Sequence, residues 1–298
     1  MDYNDILLPN YLKEALYNHS VDNGYMLFHR FLLDGRKSVK DKGGNEKSNS
    51  SYLKNFSITK EISNAMKSSN NIYISTDEID NLVGKLPGMD YNSFDMSVEN
   101  SIVLGLGQQT VSETSMLIHS IYGVPYIPGQ AFKGLVRNYC VVEFFESDEQ
   151  KAMSDDIFKT IFGRKEIDQI NTEHKGSVVF HDVFIVNDNF ELSLDIANCH
   201  YPGYYQSDKK ITDSESPIPI KFNVIKNAVF HFAYSIRKKD SDKLEVFGEK
   251  YHQPFAEIVK KALKYYGLGA KTAIGYGKFM EDEDNFASKN QTSKDKIR

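Results

Sequence analysis

The sequence predicts an α+β fold for the C-terminal part of the chain, and three stretches carry this prediction. Residues 176–186 (GSVVFHDVFIV) are apolar on both faces, which is typical of a central buried strand. Residues 229–238 (VFHFAYSIRK) alternate large apolar side chains with smaller or polar ones, which predicts another strand. Residues 254–267 place apolar side chains at helical spacing between a proline and a glycine, which predicts an amphipathic helix.

Three further elements complete the predicted core. Residues 101–107 (SIVLGLG) are β-rich and predict a strand, and a helix is expected from Gln130 to Phe145. The segment GYGKF near residue 279 predicts a short last strand. The order strand, helix, strand or strands, helix, strand fits a ferredoxin-like (RRM-like) α+β domain, whose open sheet face can bind single-stranded RNA.

The N-terminal part of the chain is expected to be a mostly helical extension. Apolar residues recur at helical spacing over 4–34 and 52–68. Residues 35–51 are polar, basic and rich in Gly and Ser, so they predict a mobile loop that either touches phosphate or is a solvated linker. Residues 69–100 are expected to be irregular. The predicted division is a helical extension (1–100), a ferredoxin-like domain (101–280) and a charged tail (281–298).

The bulk composition limits the classes of function. A net charge of -5 and a pI of about 5.9 lack the basic balance of a free-standing nucleic-acid binder, so any RNA surface must be local. With only two cysteines, Cys140 and Cys199, no disulfide framework is expected in a chain of this length. Since the sequence shows neither a signal peptide pattern nor an apolar run of roughly 20 residues, a cytoplasmic protein without membrane contact is expected.

A doubled glycine motif stands between the last predicted helix and strand. Residues 267–277 read GLGAKTAIGYG, with Lys271 and Thr272 between two G-x-G pairs. Paired glycines let a backbone approach phosphate closely, and successive N–H groups can form an anion nest. A Rossmann loop would open a helix and a Walker A loop would have Gly in place of Ala270, so neither fits. The doubled pattern favours binding of a nucleic-acid backbone over an ordinary turn.

A second candidate site lies at the start of the first core helix. Lys133 and Arg137 are one turn apart, so they share a helix face near the end that attracts anions. This spacing fits a phosphate site, and it fits an ordinary basic helix face equally well.

The two motifs together resemble the RAMP superfamily of CRISPR proteins. They are Y-I-P-G-x-x-x-K-G-x-x-R at residues 126–137 and the glycine motif at 267–277. Within the superfamily, DIANCHYPGYY at 195–205 and SPIPI at 216–220 are similar to the subunit-six family of the type III-B Cmr module. Other similar features are Gly105–Gly107, His119 and Tyr122, while Cys199 stands where the family usually has Pro.

The resemblance covers about residues 101–279 and implies a role as well as a fold. It implies a non-catalytic subunit with no cofactor, which binds guide crRNA near its 3′ end and caps the filament of backbone RAMP subunits. Its neighbours would be the small subunit and subunit one of the Cmr complex, with target RNA nearby. The implied RNA contacts are Lys133, Arg137, Gly267, Gly269, Lys271, Thr272, Gly275 and Gly277.

An aromatic segment adds a further candidate contact. Its side chains could stack on bases, or they could fill a local core. A metal site is not expected, because adjacent Cys199 and His200 lack metal-ligand spacing and no CxxC partner exists. The residues concerned are His200, Tyr201, Tyr204 and Tyr205.

Two other functions remain open from the sequence. A RAMP endoribonuclease that processes guide precursor could use His119, His181 or His231 as a general acid or base. A satisfied core histidine is the commoner state for the two that lie on predicted strands, and Asp182 is expected on the opposite strand face from His181. In a protein-interaction subunit, the glycine loop would be only structural.

Overall fold

The 298-residue chain divides into two compact units in a computed structural model. The first comprises Met1–Tyr73, Val103–Pro125 and Glu191–Ile225, and the second comprises Ile74–Ile102, Tyr126–Phe190 and Lys226–Arg298. The structure describes residues 23–30, 39–40, 46–47, 63–64, 66–67, 80–81, 83–108, 114–164, 174–199 and 218–281.

The described elements are short in the N-terminal part and longer after residue 88. The helices are a π-helical turn at Met26–Arg30, α1 (Gly129–Phe144), α2 (Glu149–Ser154), α3 (Asp156–Phe162), 3-10 turns at Lys238–Asp240 and Thr272–Ile274, α4 (Asp242–Lys250) and α5 (Phe255–Tyr265). The strands are β1 (Val39–Lys40), β2 (Glu46–Lys47), β3 (Met89–Val98), β4 (Tyr126–Ile127), β5 (Gly163–Arg164), β6 (His174–Lys175), β7 (Val178–Phe180), β8 (Val183–Ile185), β9 (Glu191–Cys199), β10 (Ile218–Lys226), β11 (Val229–Arg237) and β12 (Phe279–Met280).

An antiparallel sheet organises the second unit. Its order is β12-β3-β11-β8-β4, and β7 also pairs with β11. The central pair runs from Val229 opposite Ser97 to Arg237 opposite Met89. Along the chain the principal elements follow as β3, α1, β7 with β8, β11, α5 and β12. The predicted α+β fold is therefore confirmed.

The core of this unit lies between the sheet and the helices α1 and α5. Phe232 of β11 contacts Phe132 of α1 edge-on, with ring centroids 5.2 Å apart. Tyr234, two residues along the same strand, contacts Phe255 of α5 at 5.5 Å. Alternate residues of a strand share a face, so one face of β11 is the helix-packing face. The predicted helices are confirmed, and Gly267 has the positive φ of +74° expected after the end of α5.

Two predictions about strands are wrong, and residues 176–186, which were predicted as one strand, form the two strands β7 and β8. Residues 69–100 were expected to be irregular, but Met89–Val98 form the long strand β3 beside the central strand. Its Asp, Asn and Ser residues have low β propensity, and pairing with β11 stabilises the strand despite them. Residues 101–107 were expected to be a strand, but only Ile102 makes a bridge and Gly105 turns the backbone at a φ of +75°.

Three short helices were not predicted from the sequence. Helices α2 and α3 have 6 and 7 residues, too few to show a clear period. Each begins at an aspartate that accepts backbone N–H groups: Asp148 from Gln150 and Lys151, and Asp155 from Phe158. Helix α4, at Asp242–Lys250, has only 9 residues.

The first unit is described in part. Strands β9 and β10 pair with each other. The Asn23 amide donates to the carbonyl oxygens of Ser120 and Ile121 at 3.2 and 2.9 Å. Within the predicted helix 4–34, the described residues 24–30 are helical, as are 63–64 and 66–67 within 52–68; of the loop 35–51 only the two-residue strands β1 and β2 are described. Among all described helices, none has the length and apolarity to cross a membrane.

Candidate nucleic-acid interface

The start of α1 is fixed on the sheet by a carboxylate. Gly129 donates its N–H to Asp182 Oδ1 at 2.7 Å. A Cβ at Gly129 would clash with the Phe180 carbonyl oxygen, so glycine is required for this close approach. The sequence predicted an anion at this helix N-terminus, and the structure places the protein's own Asp182 there. An RNA phosphate near α1 would therefore depend on side-chain cations more than on the first backbone N–H.

Of the two predicted cations near the start of α1, Lys133 is the one whose charged neighbours are themselves cations. Its side chain is half-buried in the second turn of α1. Burial lowers the pKa of Lys133, and repulsion from Arg137 and Lys175 lowers it further. An anion bound beside Lys133 would relieve this repulsion, as expected for a phosphate contact.

Arg137 is held by neighbouring helices. Its guanidinium forms a two-pronged ion pair with the Glu149 carboxylate on α2, with one N–O distance of 3.2 Å. The same group lies 5.3 Å from the Phe158 ring centroid on α3 and 3.5 Å from the Met153 sulfur. These contacts join α1 to α2 and α3. Lys133 and Arg137, which the sequence placed on one basic face, therefore differ in their contacts: Arg137 is ion-paired to Glu149.

Replacing Arg137 with alanine should lower the free energy of unfolding by about 1–2 kcal/mol, because it removes a two-pronged ion pair and a cation–π contact. Lys133→Ala is the matched control on the same helix and should change stability by less than about 0.5 kcal/mol. Urea unfolding followed by circular dichroism measures both. Equal effects of the two substitutions would contradict the structural role given to Arg137.

The base of the glycine-rich loop is built by its first and last glycines. Leu268 N–H donates to the Gly277 carbonyl at 2.8 Å, and Gly277 N–H donates to the Ser101 carbonyl at 2.8 Å. A Cβ at Gly267 would lie 2.5 Å from the Gly277 carbonyl oxygen, and one at Gly277 would overlap the Leu268 carbonyl oxygen. Internal packing therefore explains these two glycines without any ligand.

The tip of the loop is different. Gly275 has a φ of +100°, yet an added Cβ there would meet nothing within 4 Å. Lys271 adopts the left-handed conformation with a φ of +61°, and Gly269 has a φ of +96°. Thr272–Ile274 form a 3-10 turn, in which Ile274 is 70% exposed. The tip thus exposes Ile274 and the Gly275 backbone beyond the hydrogen-bonded base of the loop.

The second face of the central strand is filled by a polar network. His231 of β11 is 4% exposed, and its Nδ1 lies 2.6 Å from Asp95 Oδ1 on β3. Its Nε2 lies 2.9 Å from Asp80 Oδ1, which also accepts the Tyr91 hydroxyl at 2.5 Å. The general expectation of an open, RNA-binding sheet face does not hold at β11, since both faces of this strand are buried.

The network sets the ionisation of its members. Burial by itself would lower the pKa of His231, but hydrogen bonds and charge attraction from Asp95 and Asp80 outweigh it, so the pKa is raised. Burial and the neighbouring Asp80 raise the pKa of Tyr91. No sequence signal predicts this network, because residues 80, 95 and 231 meet only through tertiary structure.

The other two candidate histidines are also engaged within the fold. His181 Nε2 lies 2.9 Å from the Ser235 hydroxyl, and burial lowers the pKa of His181. His119 accepts the Tyr122 backbone N–H at its Nδ1 (3.2 Å) and stacks on the Tyr122 ring at 4.6 Å. Asp182 accepts the Gly129 N–H, whereas His181 bonds to Ser235; the two residues lie between β7 and β8 and not on opposite faces of one strand as predicted.

The aromatic segment between β9 and β10 lies outside the described residues. This applies to His200, Tyr201, Tyr204 and Tyr205, whose predicted RNA contacts stay predictions. Within the described part of the chain, no group of three or more His, Cys, Asp or Glu residues is arranged to hold a metal ion.

The fold and the glycine motif agree with a family match. The RAMP superfamily model matches residues 95–280, and the chain belongs to this superfamily. The family implies a ferredoxin-like fold. Thus the resemblance predicted from the residues 126–137 and 267–277 is confirmed.

Individual relatives narrow the resemblance to one kind of subunit. The chain is 32% identical over 232 residues to the CRISPR system Cmr subunit Cmr6 of Pyrococcus furiosus, covering 61% of this chain and 66% of that protein. It is 24% identical over 206 residues to the Cmr6 subunit of Saccharolobus solfataricus, covering 67% of this chain and 62% of that protein. The chain therefore spans slightly less than two thirds of the length of these relatives. The predicted similarity to subunit six is confirmed.

A solved structure shares the fold. A chain in the cryo-EM structure of the type III-B Cmr-β complex bound to cognate target RNA has a TM-score of 0.54 and 19% sequence identity. The match covers 76% of this chain and 69% of that chain. At this identity the likeness concerns the fold alone.

Proposed function

We propose that the chain is a non-catalytic subunit of a type III-B CRISPR RNA-guided effector complex. In this role it binds guide crRNA toward the 3′ end and caps the filament of backbone RAMP subunits in defence against foreign RNA. Similarity to two Cmr6 subunits supports this assignment. The order of the elements along the chain supports a ferredoxin-like core; it is β3, α1, β7 with β8, β11, α5 and β12.

The observation that supports RNA binding is a difference between the glycines at the base and at the tip of the glycine-rich loop. Packing within the protein requires Gly267 and Gly277, but nothing within 4 Å would hinder a side chain at Gly275. A glycine on the open side of a loop leaves the backbone accessible to a ligand, and Lys271 supplies a cation at the same tip. Phosphate is the ligand that best suits these features.

Lys133 is the second proposed RNA contact. Burial lowers the pKa of Lys133, and repulsion from Arg137 and Lys175 lowers it further; these neighbouring positive charges attract a phosphodiester. The first backbone N–H of α1, that of Gly129, already donates to Asp182. The side chain of Lys133 is therefore the group proposed to contact phosphate. Arg137 would act on RNA mainly through the position of α1.

The proposed role excludes catalysis by this chain. A general acid or base must reach the proton it transfers. The rings of His119, His181 and His231 instead hydrogen-bond within the fold, and His231 is almost fully buried. Metal-free incubation of the purified chain with repeat-containing RNA should leave the RNA intact, and specific cleavage would support the endoribonuclease alternative.

The proposed partners are the guide crRNA, the backbone RAMP subunit, the small subunit and subunit one, with target RNA nearby. The protein, tagged and recovered from its host, should bring short RNAs with repeat-derived ends and several RAMP subunits. Recovery of the chain alone would contradict assembly into such a complex.

The loop-tip contact is tested by Lys271→Ala in the full chain. We expect about fivefold weaker binding of a labelled guide-like RNA, because one phosphate contact is lost. The log–log slope of affinity against salt should fall by roughly 0.7, the value for one contact on a single strand. Lys85→Ala, which removes an exposed lysine outside the site, is the matched control. Fluorescence anisotropy across a salt series that shows the same curves for both variants would refute the contact.

A further inference from the structure

A polar cleft of about 450 Å³ opens in the second unit beside α3. Its walls come from α3, from Lys175 at the end of β6 and the nearby Ser177, and from residues 237–240 at the end of β11. All of its lining side chains are polar or charged. Its cations are Lys159, Lys175, Arg237 and Lys239, and its carboxylates are Asp156 and Asp240.

The two carboxylates of the cleft are already engaged. Asp156 pairs with Lys159 at 2.6 Å, and Asp240 accepts the Ser177 hydroxyl at 2.6 Å. By contrast, the cations of residues 175, 237 and 239 form no ion pair among the residues that the structure describes. The cleft therefore holds an excess of positive charge in a chain whose net charge is negative.

The positive charge extends from the cleft toward α1. Lys175 lines the cleft, and its charge also lowers the pKa of Lys133. Burial is the larger cause of that lowering, and the contribution of Lys175 indicates that the two lysines are neighbours. Lys175 therefore belongs to the cleft and also neighbours the proposed RNA contact near the start of α1.

We propose that this cleft binds phosphates of single-stranded RNA, as a continuation of the contact at Lys133. The proposal rests on the proposed RNA-binding function and extends it to a surface formed by α3, Lys175 and residues 237–240. RNA backbones are held by cations and hydroxyl groups, which are the groups this cleft offers. An acidic protein segment would be expected to bury apolar anchors as well, and the cleft lining has none.

The test variant is Lys175→Ala combined with Lys239→Ala in the full chain. Both side chains are exposed, so the substitutions should leave thermal unfolding unchanged. With labelled single-stranded RNA, we expect about tenfold weaker binding at 0.1 M salt and a salt slope lower by roughly 1.4, for two lost phosphate contacts. The matched control is Lys85→Ala with Lys226→Ala, which removes the same charge from two exposed sites and should bind RNA like the wild type.

The outcomes separate this inference from the proposed function. If Lys271→Ala weakens RNA binding but the cleft variant behaves like its control, the cleft is not an RNA site and the proposed function stands. If the wild-type chain binds no RNA at any salt concentration, both proposals fail. If a polyglutamate peptide binds the wild type, loses affinity for the cleft variant, and RNA affinity is unchanged, the cleft takes an acidic protein and this inference is overturned.

Discussion

Gly277→Ala should lower the free energy of unfolding by about 3 kcal/mol or more. The residue has a φ of +68°, where a Cβ costs roughly 1–2 kcal/mol. The new Cβ would also overlap the Leu268 carbonyl oxygen, and overpacking typically costs a further 1–3 kcal/mol. Because Gly277 hydrogen-bonds to both Leu268 and Ser101, relief of the clash would open the base of the loop.

Two other glycines provide controls for this substitution. Gly134→Ala lies in the interior of α1, where a Cβ meets nothing within 4 Å, and should stabilise the protein by roughly 0.5–1 kcal/mol. Gly275→Ala meets no neighbour either, and should cost only the strain of its positive φ, about 1–2 kcal/mol. Urea unfolding ranks the three variants. A Gly277→Ala protein as stable as Gly275→Ala would contradict the steric argument.

His231→Ala should destabilise the protein by about 3 kcal/mol. Removal of the imidazole takes the hydrogen bond across the strand pair from the Asp95 carboxylate, whose side chain is only 13% exposed. Asp80 is 39% exposed and can turn to water, so Asp80→Asn should cost less, about 1 kcal/mol. Chemical unfolding of both variants measures the difference. A larger loss of stability for Asp80→Asn than for His231→Ala would contradict this assignment of the network's stability to the His231–Asp95 pair.

The same network predicts a pH dependence of stability. The pKa of His231 is raised in the folded protein, so its stabilising contribution is fully present below the unfolded pKa of about 6.5. That contribution is lost as the pH rises through the folded pKa, so unfolding should become easier above about pH 6.5. His231→Gln retains hydrogen-bonding groups but does not titrate, and it should remove this component. An unchanged pH profile in His231→Gln would show that another group causes it.

The elements predicted best are those with a strong local pattern. Helix α5 was expected between Pro254 and Gly267 and occupies Phe255–Tyr265, because its apolar period and both end signals agree. Helix α1 was expected from Gln130 to Phe145 and occupies Gly129–Phe144. Strand β11 at Val229–Arg237 shows its alternation directly. In each case neighbours in sequence carry the signal.

The failures concern structure made by distant residues. Strand β3 contains Asp90, Asn92 and Asp95, which predict irregular backbone locally, and its partner β11 lies more than 130 residues away. The stretch from 101 to 107 is apolar like a strand, but the Gly277 N–H takes the Ser101 carbonyl and Gly105 turns the chain. Local propensity does not contain these partners.

The features of the candidate site were likewise predicted only where the signal is local in the sequence. The sequence by itself determined the family, the glycine-rich loop and the basic residues near α1, because these are short motifs with fixed spacing. Tertiary structure alone decided that Arg137 pairs with Glu149, that Asp182 caps α1, and that His231 is buried between two carboxylates. The physical reason is that charge and hydrogen-bonding groups act over a few ångströms in space, and only the folded chain brings these residues within that range.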